Sequence, residues 1–191
     1  MPASSEAAIF AAVRKSAKRR DNTVATQITA PIFFAPFVSS IMKIEPGWID
    51  YNGHLNMAYY NVLIDRAVDE AFELVGLGPD YVTSRNASYF AAEVHVRYLR
   101  ELAASAPVRV TLQLLGYDAK RIHFYTELLH AKENWVSATS EQLALHVDMA
   151  SRRAVAWPDD ILERLAAMRA AHASLPDPEA VGRRISMPAR S

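Results

Sequence analysis

A long helical pattern followed directly by four alternating runs constrains this chain more than any other feature of its sequence. From Met57 the apolar residues Tyr60, Leu63, Ile64, Ala67, Val68, Ala71, Phe72 and Val75 recur at i, i+3, i+4 spacing, with Asp65, Arg66, Asp69, Glu70 and Glu73 between them. Asn56 stands where a side-chain oxygen caps such a helix, and Gly76 with Gly78-Pro79 ends it. After a link over residues 79–87 the period becomes two. Val94, Val96 and Tyr98 alternate with Glu93, His95 and Arg97, and Val108 to Leu114 alternates with Arg109, Thr111 and Gln113. Arg121 to His130 and Trp135 to Asp148 follow, joined by hairpin signals at Gly116–Lys120 and Ala131–Asn134. A short strand over Phe37–Ile44 precedes the helix, and a last helix runs from Pro158 to about Ala173. The expected class is α+β, with one long helix against an antiparallel sheet of about five strands and a C-terminal helix. One helix leaves the other sheet face and an edge strand poorly covered, and dimerisation is the natural remedy.

The chain has 191 residues, room for one ordinary domain, and a formal net charge of +0. That balance excludes a general nucleic-acid binder, which needs a basic face. With no cysteine, a thiol nucleophile, a disulfide framework and a Cys-based zinc site are excluded, and the cytoplasm is the expected compartment. No apolar run approaches the roughly 18–20 residues that span a bilayer, so no membrane partner is expected. Residues 1–36 read as a loosely structured extension. Within it, Ala7 to Val13 has room for one or two helical turns, and the basic run Arg14 to Arg20 resembles part of an organellar transit peptide, against which Glu6 and Asp21 argue. The folded domain is expected over 37–175, with a loose basic tail over 176–191.

Chemistry concentrates just before the long helix, in Trp48-Ile-Asp-Tyr-Asn-Gly-His-Leu-Asn-Met-Ala-Tyr-Tyr60. Asp50, Asn52, His54 and Asn56 crowd polar groups beside a helix N-terminus, where free backbone N–H groups can receive an oxyanion. Gly53 lets the chain pass close to a substrate. A carboxylate base or nucleophile beside such N–H groups suits acyl transfer. On the local pattern alone, Asp50 as a plain loop residue, Asn56 as a cap and His54 as a satisfied loop histidine fit as well.

The same thirteen residues resemble the signature of hotdog-fold acyl-CoA thioesterases of the 4-hydroxybenzoyl-CoA thioesterase group, in which an Asp–x–x–Gly turn leads into a helix wrapped by the sheet. The similarity runs over about residues 41–155. It implies Asp50 as the catalytic aspartate and the Met57 backbone N–H as the donor that polarises the carbonyl, with Gly53, His54 and Asn56 shaping the turn. His95-Val-Arg-Tyr-Leu-Arg-Glu101, Thr111-Leu-Gln-Leu-Leu-Gly116 with Lys120-Arg121, Glu141-Gln142, Leu145-His-Val-Asp148, Leu175-Pro-Asp-Pro-Glu179 and Gly182-Arg-Arg-Ile185 are similar to betainyl-CoA thioesterases of carnitine degradation. These also occur fused behind L-carnitine dehydrogenase; no dinucleotide-binding Gly-x-Gly-x-x-Gly turn is present here.

Betainyl-CoA carries a quaternary ammonium beside its thioester, and such cations are held by aromatic faces with a nearby carboxylate. Trp48, Tyr51, Tyr89, Phe90 and Glu93 are the expected substrate contacts, with Tyr60 from the helix. Lys120 and Arg121 are expected at the coenzyme A phosphates, with Arg100, Arg152 and Arg153 as further choices. His95, His123 and His146 read as structural, and no metal site or separate cofactor is expected, coenzyme A being part of the substrate. The expected assembly is a homodimer or a dimer of dimers. The competing readings are a thioesterase for another short or aromatic acyl-CoA, a non-catalytic acyl-CoA-binding module, and a dehydratase of the same fold.

Overall fold

The computed structural model describes residues 32–187, so the expected turns over Ala7 to Val13 and the basic run behind them lie outside the described residues. Helix α1 spans Met57–Val75, within the bounds its apolar stripe sets, and every residue of that stripe is buried. The Asn56 side chain accepts the Ala58 N–H at 3.0 Å. At the other end Gly76 sits at φ 90, and its N–H and that of Leu77 close back on Glu73 and Phe72 at 2.9 Å each.

The sheet carries the order β1-β4-β5-β6-β3, all antiparallel, with β2 also on β4 and β7 on β6. The strands are β1 (Phe37–Val38), β2 (Met42–Lys43), β3 (Ala87–Tyr98), β4 (Pro107–Tyr117), β5 (Arg121–His130), β6 (Val136–Asp148) and β7 (Arg153–Ala154). One face packs on α1. Val108, Val110, Leu112 and Leu114 of β4 and Ile122, Phe124 and Leu128 of β5 are buried against it, and Phe72 meets Phe124 edge-on at 5.1 Å. Burying a side chain of this size is worth about 1.5–3 kcal/mol.

Four features depart from the sequence expectation. The first strand breaks in two because Glu70, reaching across from α1, accepts the Ser40 N–H at 2.8 Å and takes that residue out of the ladder. The expected link over 79–87 contains helix α2, Pro79–Arg85, with proline in its first turn. Arg85 clamps it to Asp160 of the last helix, α3 (Asp159–His172), through two hydrogen bonds of 2.8 and 2.6 Å. The third departure is β7, a two-residue strand that pairs with the end of β6. The fourth lies at the ends of the domain. Beyond residue 175 the chain docks rather than hanging loose: Ala180 is buried, Gln113 donates to the Pro176 carbonyl at 3.3 Å, and the Gly182 N–H donates to Glu141 at 2.8 Å. Before residue 37, Phe33 packs on the core and the Phe34 carbonyl accepts from His172 at 2.9 Å.

His146 and His172 are structural. His146 Nδ1 faces the Ala156 carbonyl at 3.0 Å, which puts its proton there and leaves Nε2 to accept from the Tyr81 hydroxyl at 2.8 Å. His172 accepts the Leu114 N–H at 2.9 Å through Nδ1. Burial lowers the pKa of both rings.

Candidate active site

The segment before α1 folds into a tight turn whose hydrogen bonds converge on Asp50. The Asp50 N–H donates to the His54 carbonyl and the Gly53 N–H to the Asp50 carbonyl, each at 3.0 Å. The Asn52 N–H donates to Asp50 Oδ1 at 2.8 Å, an Asx turn. Gly53 adopts φ 85, a left-handed conformation that any side chain would strain. On either side the turn is anchored: the Asn56 N–H donates to Trp48, and the Leu55 N–H to Leu102 at 2.8 Å. The Asp50 side chain is thereby left 17% exposed, on a rigid support.

Two donors at the start of α1 have different fates. Asn56 takes up the Ala58 N–H, whereas the Met57 N–H, at the first helical position, has no acceptor among the described residues. Met57 is exposed, so that N–H and the positive end of the helix dipole are available to a carbonyl oxygen. Asp50 stands in the turn that precedes α1 and Met57 is the first residue of that helix, with Gly53 in the turn and Asn56 as the cap. His54 has a more defined neighbourhood than expected. Its Nδ1 lies 3.9 Å from Asp50 Oδ1 and its Nε2 3.6 Å from Glu101, a residue the sequence reading did not single out.

The expected substrate contacts do not form one cluster within the chain. Trp48 is buried, stacked on Tyr59 at 5.0 Å and covered by the Arg66 guanidinium 5.2 Å from its ring centre. Its π face therefore already holds a cation and supports the turn. Tyr60 is also buried, edge-on to Tyr98 at 5.0 Å, and the Tyr98 hydroxyl donates to the Met57 carbonyl at 3.3 Å. Tyr51 is 98% exposed at the tip of the turn. Tyr89 and Phe90 lie on β3 beside the C-terminal half of α1, where the Tyr89 hydroxyl donates to Asp69 at 2.6 Å. Asp69 is twelve residues beyond Met57, roughly 18 Å along the helix. Glu93 lines a different cavity, of about 800 Å³, with His95, His123 and Glu141.

The cations expected at the coenzyme A phosphates are partly occupied. Arg121 pairs with Asp118 at 2.6 Å, which pulls the Asp118 carboxyl down to about 2, and Lys120 donates to the Ala154 carbonyl at 3.3 Å. Arg100 lies over Trp135 at 4.0 Å, two residues before the Leu102 that anchors the turn. Among the described residues no group of three or more ligand side chains can hold a metal ion, and no helix is long and apolar enough to cross a membrane.

An antiparallel sheet wrapped on one long helix, with a carboxylate turn at the helix N-terminus, defines the hotdog class of thioester-hydrolysing enzymes. The chain belongs to the thioesterase-like superfamily, whose profile matches residues 44–165. It is 38% identical over 145 residues to a betainyl-CoA thioesterase of Pseudomonas aeruginosa, 76% of this chain and 91% of that protein. It is 37% identical over 141 residues to an L-carnitine dehydrogenase/betainyl-CoA thioesterase of Rhizobium sp, 74% of this chain but 28% of that longer protein. A Staphylococcus aureus protein solved in complex with CoA superposes with a TM-score of 0.75 at 25% identity, covering 82% of this chain and 98% of that one. The fold is therefore the hotdog fold, and the chain is an acyl-CoA thioesterase.

Proposed function

We propose that the chain hydrolyses betainyl-CoA to glycine betaine and free coenzyme A, a step of carnitine breakdown in the cytoplasm. The 38% identity to the Pseudomonas aeruginosa betainyl-CoA thioesterase, over 91% of that protein, carries this reading. In the proposed reaction the thioester carbonyl oxygen accepts the Met57 N–H, and Asp50 stands on the opposite side of the reacting carbon. Asp50 either attacks that carbon to form a mixed anhydride or takes a proton from a water that attacks it. In both paths the oxyanion collapses back to a carbonyl as the C–S bond breaks, and the thiolate leaves and takes up a proton as coenzyme A; on the anhydride path a water then cleaves the Asp50–acyl bond, which frees glycine betaine and restores the carboxylate. The substrate's own cation withdraws electrons from the carbonyl, which eases attack.

The proposed assembly is a homodimer, or a dimer of dimers, with the site at the subunit boundary. It is supported by β3, an edge strand among the described residues, on which Phe90, Val94 and Tyr98 are exposed. Lys120, Arg121 and Arg100 remain the proposed partners of the coenzyme A phosphates. Comparison of kcat/KM on betainyl-CoA with acetyl-, benzoyl- and medium-chain acyl-CoA tests the substrate. Betainyl-CoA is expected to lead; equal or lower efficiency than any of the others overturns the assignment.

A further inference from the structure

We propose that hydrolysis runs through an acyl group carried on Asp50, that His54 is the base for its removal, and that Glu101 orients the His54 ring. This rests on Asp50 as the reacting carboxylate and goes beyond it, since it assigns a second step and a role to two further side chains. It holds for whichever acyl group the site accepts.

The backbone brings the three side chains together. The Asp50 N–H donates to the His54 carbonyl at 3.0 Å, so both side chains leave the same narrow turn. Glu101 reaches it from the segment behind β3. The Leu55 N–H donates to the Leu102 carbonyl at 2.8 Å, and the Arg100 N–H to the Ser137 carbonyl at 3.0 Å. Ser137 Oγ donates in turn to the Arg100 carbonyl at 2.6 Å. Glu101 is thus pinned on both sides and set opposite His54. A histidine that only filled the turn would have its ring packed or hydrogen-bonded there, whereas the His54 side chain is 36% exposed.

Each ring nitrogen faces a carboxylate, Nδ1 at 3.9 Å from Asp50 Oδ1 and Nε2 at 3.6 Å from Glu101 Oε2. Neutral imidazole has one N–H and one lone pair. Glu101 is the nearer acceptor, and its side chain, 74% exposed, has to move only about half an ångström to accept an Nε2–H. Such contacts often close only once substrate is bound. That tautomer leaves the Nδ1 lone pair toward Asp50. Two acceptors 3.9 Å apart do not bond to each other, but a water between them can donate one O–H to each. On Asp50 itself, Oδ1 is held by the Asn52 N–H at 2.8 Å, and Oδ2 accepts no hydrogen bond among the described residues. Oδ2 is therefore the oxygen free to attack.

If Asp50 only took a proton from water, the turn would need no second base. Once Oδ2 has bonded to the acyl carbon, Asp50 can no longer act as one, and His54 stands beside it. Nδ1 then takes a proton from the water, whose oxygen bonds to the acyl carbon. The bond from that carbon to Oδ2 breaks, and Asp50 leaves with the electron pair as a carboxylate. The acyl group departs as its carboxylic acid, which loses its proton to solvent. Glu101 keeps the Nε2–H throughout and favours the charge that the ring gains, until Nδ1 returns its proton to solvent.

The test follows the first turnovers of the acyl-CoA that the wild type hydrolyses fastest, with coenzyme A read by a thiol reagent and the acyl-enzyme by mass after rapid quenching. The chain has no cysteine, so the reagent reads coenzyme A alone. His54→Gln is expected to release about one coenzyme A per site in a burst and to carry the acyl group on the peptide holding Asp50. It is then expected to turn over at least about 100-fold more slowly than the wild type. No accumulated acyl-enzyme in His54→Gln, whether through wild-type turnover or through slowed coenzyme A release, overturns the proposal. Glu101→Gln is expected to slow decay of the acyl-enzyme about tenfold or more when His54 is present, and to add nothing to His54→Gln. Equal effects of Glu101→Gln with and without His54 overturn its action through the ring. Asp50→Asn separates the two readings: neither burst nor turnover is expected from it, and wild-type turnover there overturns the Asp50 reading itself.

Discussion

The capping residue Asn56 allows stability and chemistry to be separated at a single position. Its Oδ1 accepts the Ala58 N–H at 3.0 Å, while the neighbouring Met57 N–H stays free for substrate. Asn56→Ala leaves a second N–H without its partner at the start of α1, a loss worth about 1 kcal/mol. In a domain of this size that corresponds to about 2–4 °C in Tm. Asn56→Asp keeps an oxygen at the same place and adds a negative charge favoured by the helix dipole, so its stability is expected to match or exceed that of the wild type. The same charge stands one residue from the Met57 N–H, where the transition state develops an oxyanion, and opposes it. Urea unfolding should therefore rank the proteins with Asn56→Ala lowest, whereas kcat/KM should rank them with Asn56→Asp well below the wild type. A weakly active Asn56→Ala with wild-type stability would refute the capping role. A fully active Asn56→Asp would refute the oxyanion's position at Met57.

The other predictions concern the turn and the buried histidines. Gly53→Ala, forced to keep φ 85, should cost about 1–2 kcal/mol and depress kcat through displacement of Asp50, and wild-type values for both would show that the turn conformation is not required. His146 and His172 are held neutral by burial, so the unfolded chain takes up protons that the folded chain refuses. Their contribution to stability is complete above about pH 6.5 and falls as the pH drops below it, by at most about 1.4 kcal/mol per pH unit per ring. Tm measured from pH 8 to pH 5 should decline below that point, and a flat profile would contradict the neutral assignment.

Much of the fold was legible because its periods are clean. The stripe from Tyr60 to Val75 bounds α1, and β5 occupies Arg121–His130 as its alternation implied. What escaped depends on contacts distant in sequence. The first strand looks continuous until Glu70 of α1 takes the Ser40 N–H, and α2 is too short to show a period and leans on Asp160. At the site the Asn56 cap was readable from its place before the helix, whereas the Asx turn at Asp50 and the left-handed conformation of Gly53 appear only in the folded chain. The partners of the aromatics were not readable either. Trp48 reads as a cage wall from the sequence, and only the folded chain shows the Arg66 guanidinium on its face. Glu101 lies 47 residues from His54 in sequence and reaches it only through the folding of the chain after β3.

The central claim is that Asp50 carries out the hydrolysis of an acyl-CoA bound at the start of α1. Single-turnover hydrolysis of betainyl-CoA by the wild-type protein and by Asp50→Asn, with substrate binding followed separately, tests it most directly. The account predicts that the variant binds substrate with similar affinity and hydrolyses it about 100-fold more slowly or worse, since only the reacting group is lost. Retention of the wild-type rate in Asp50→Asn would contradict it.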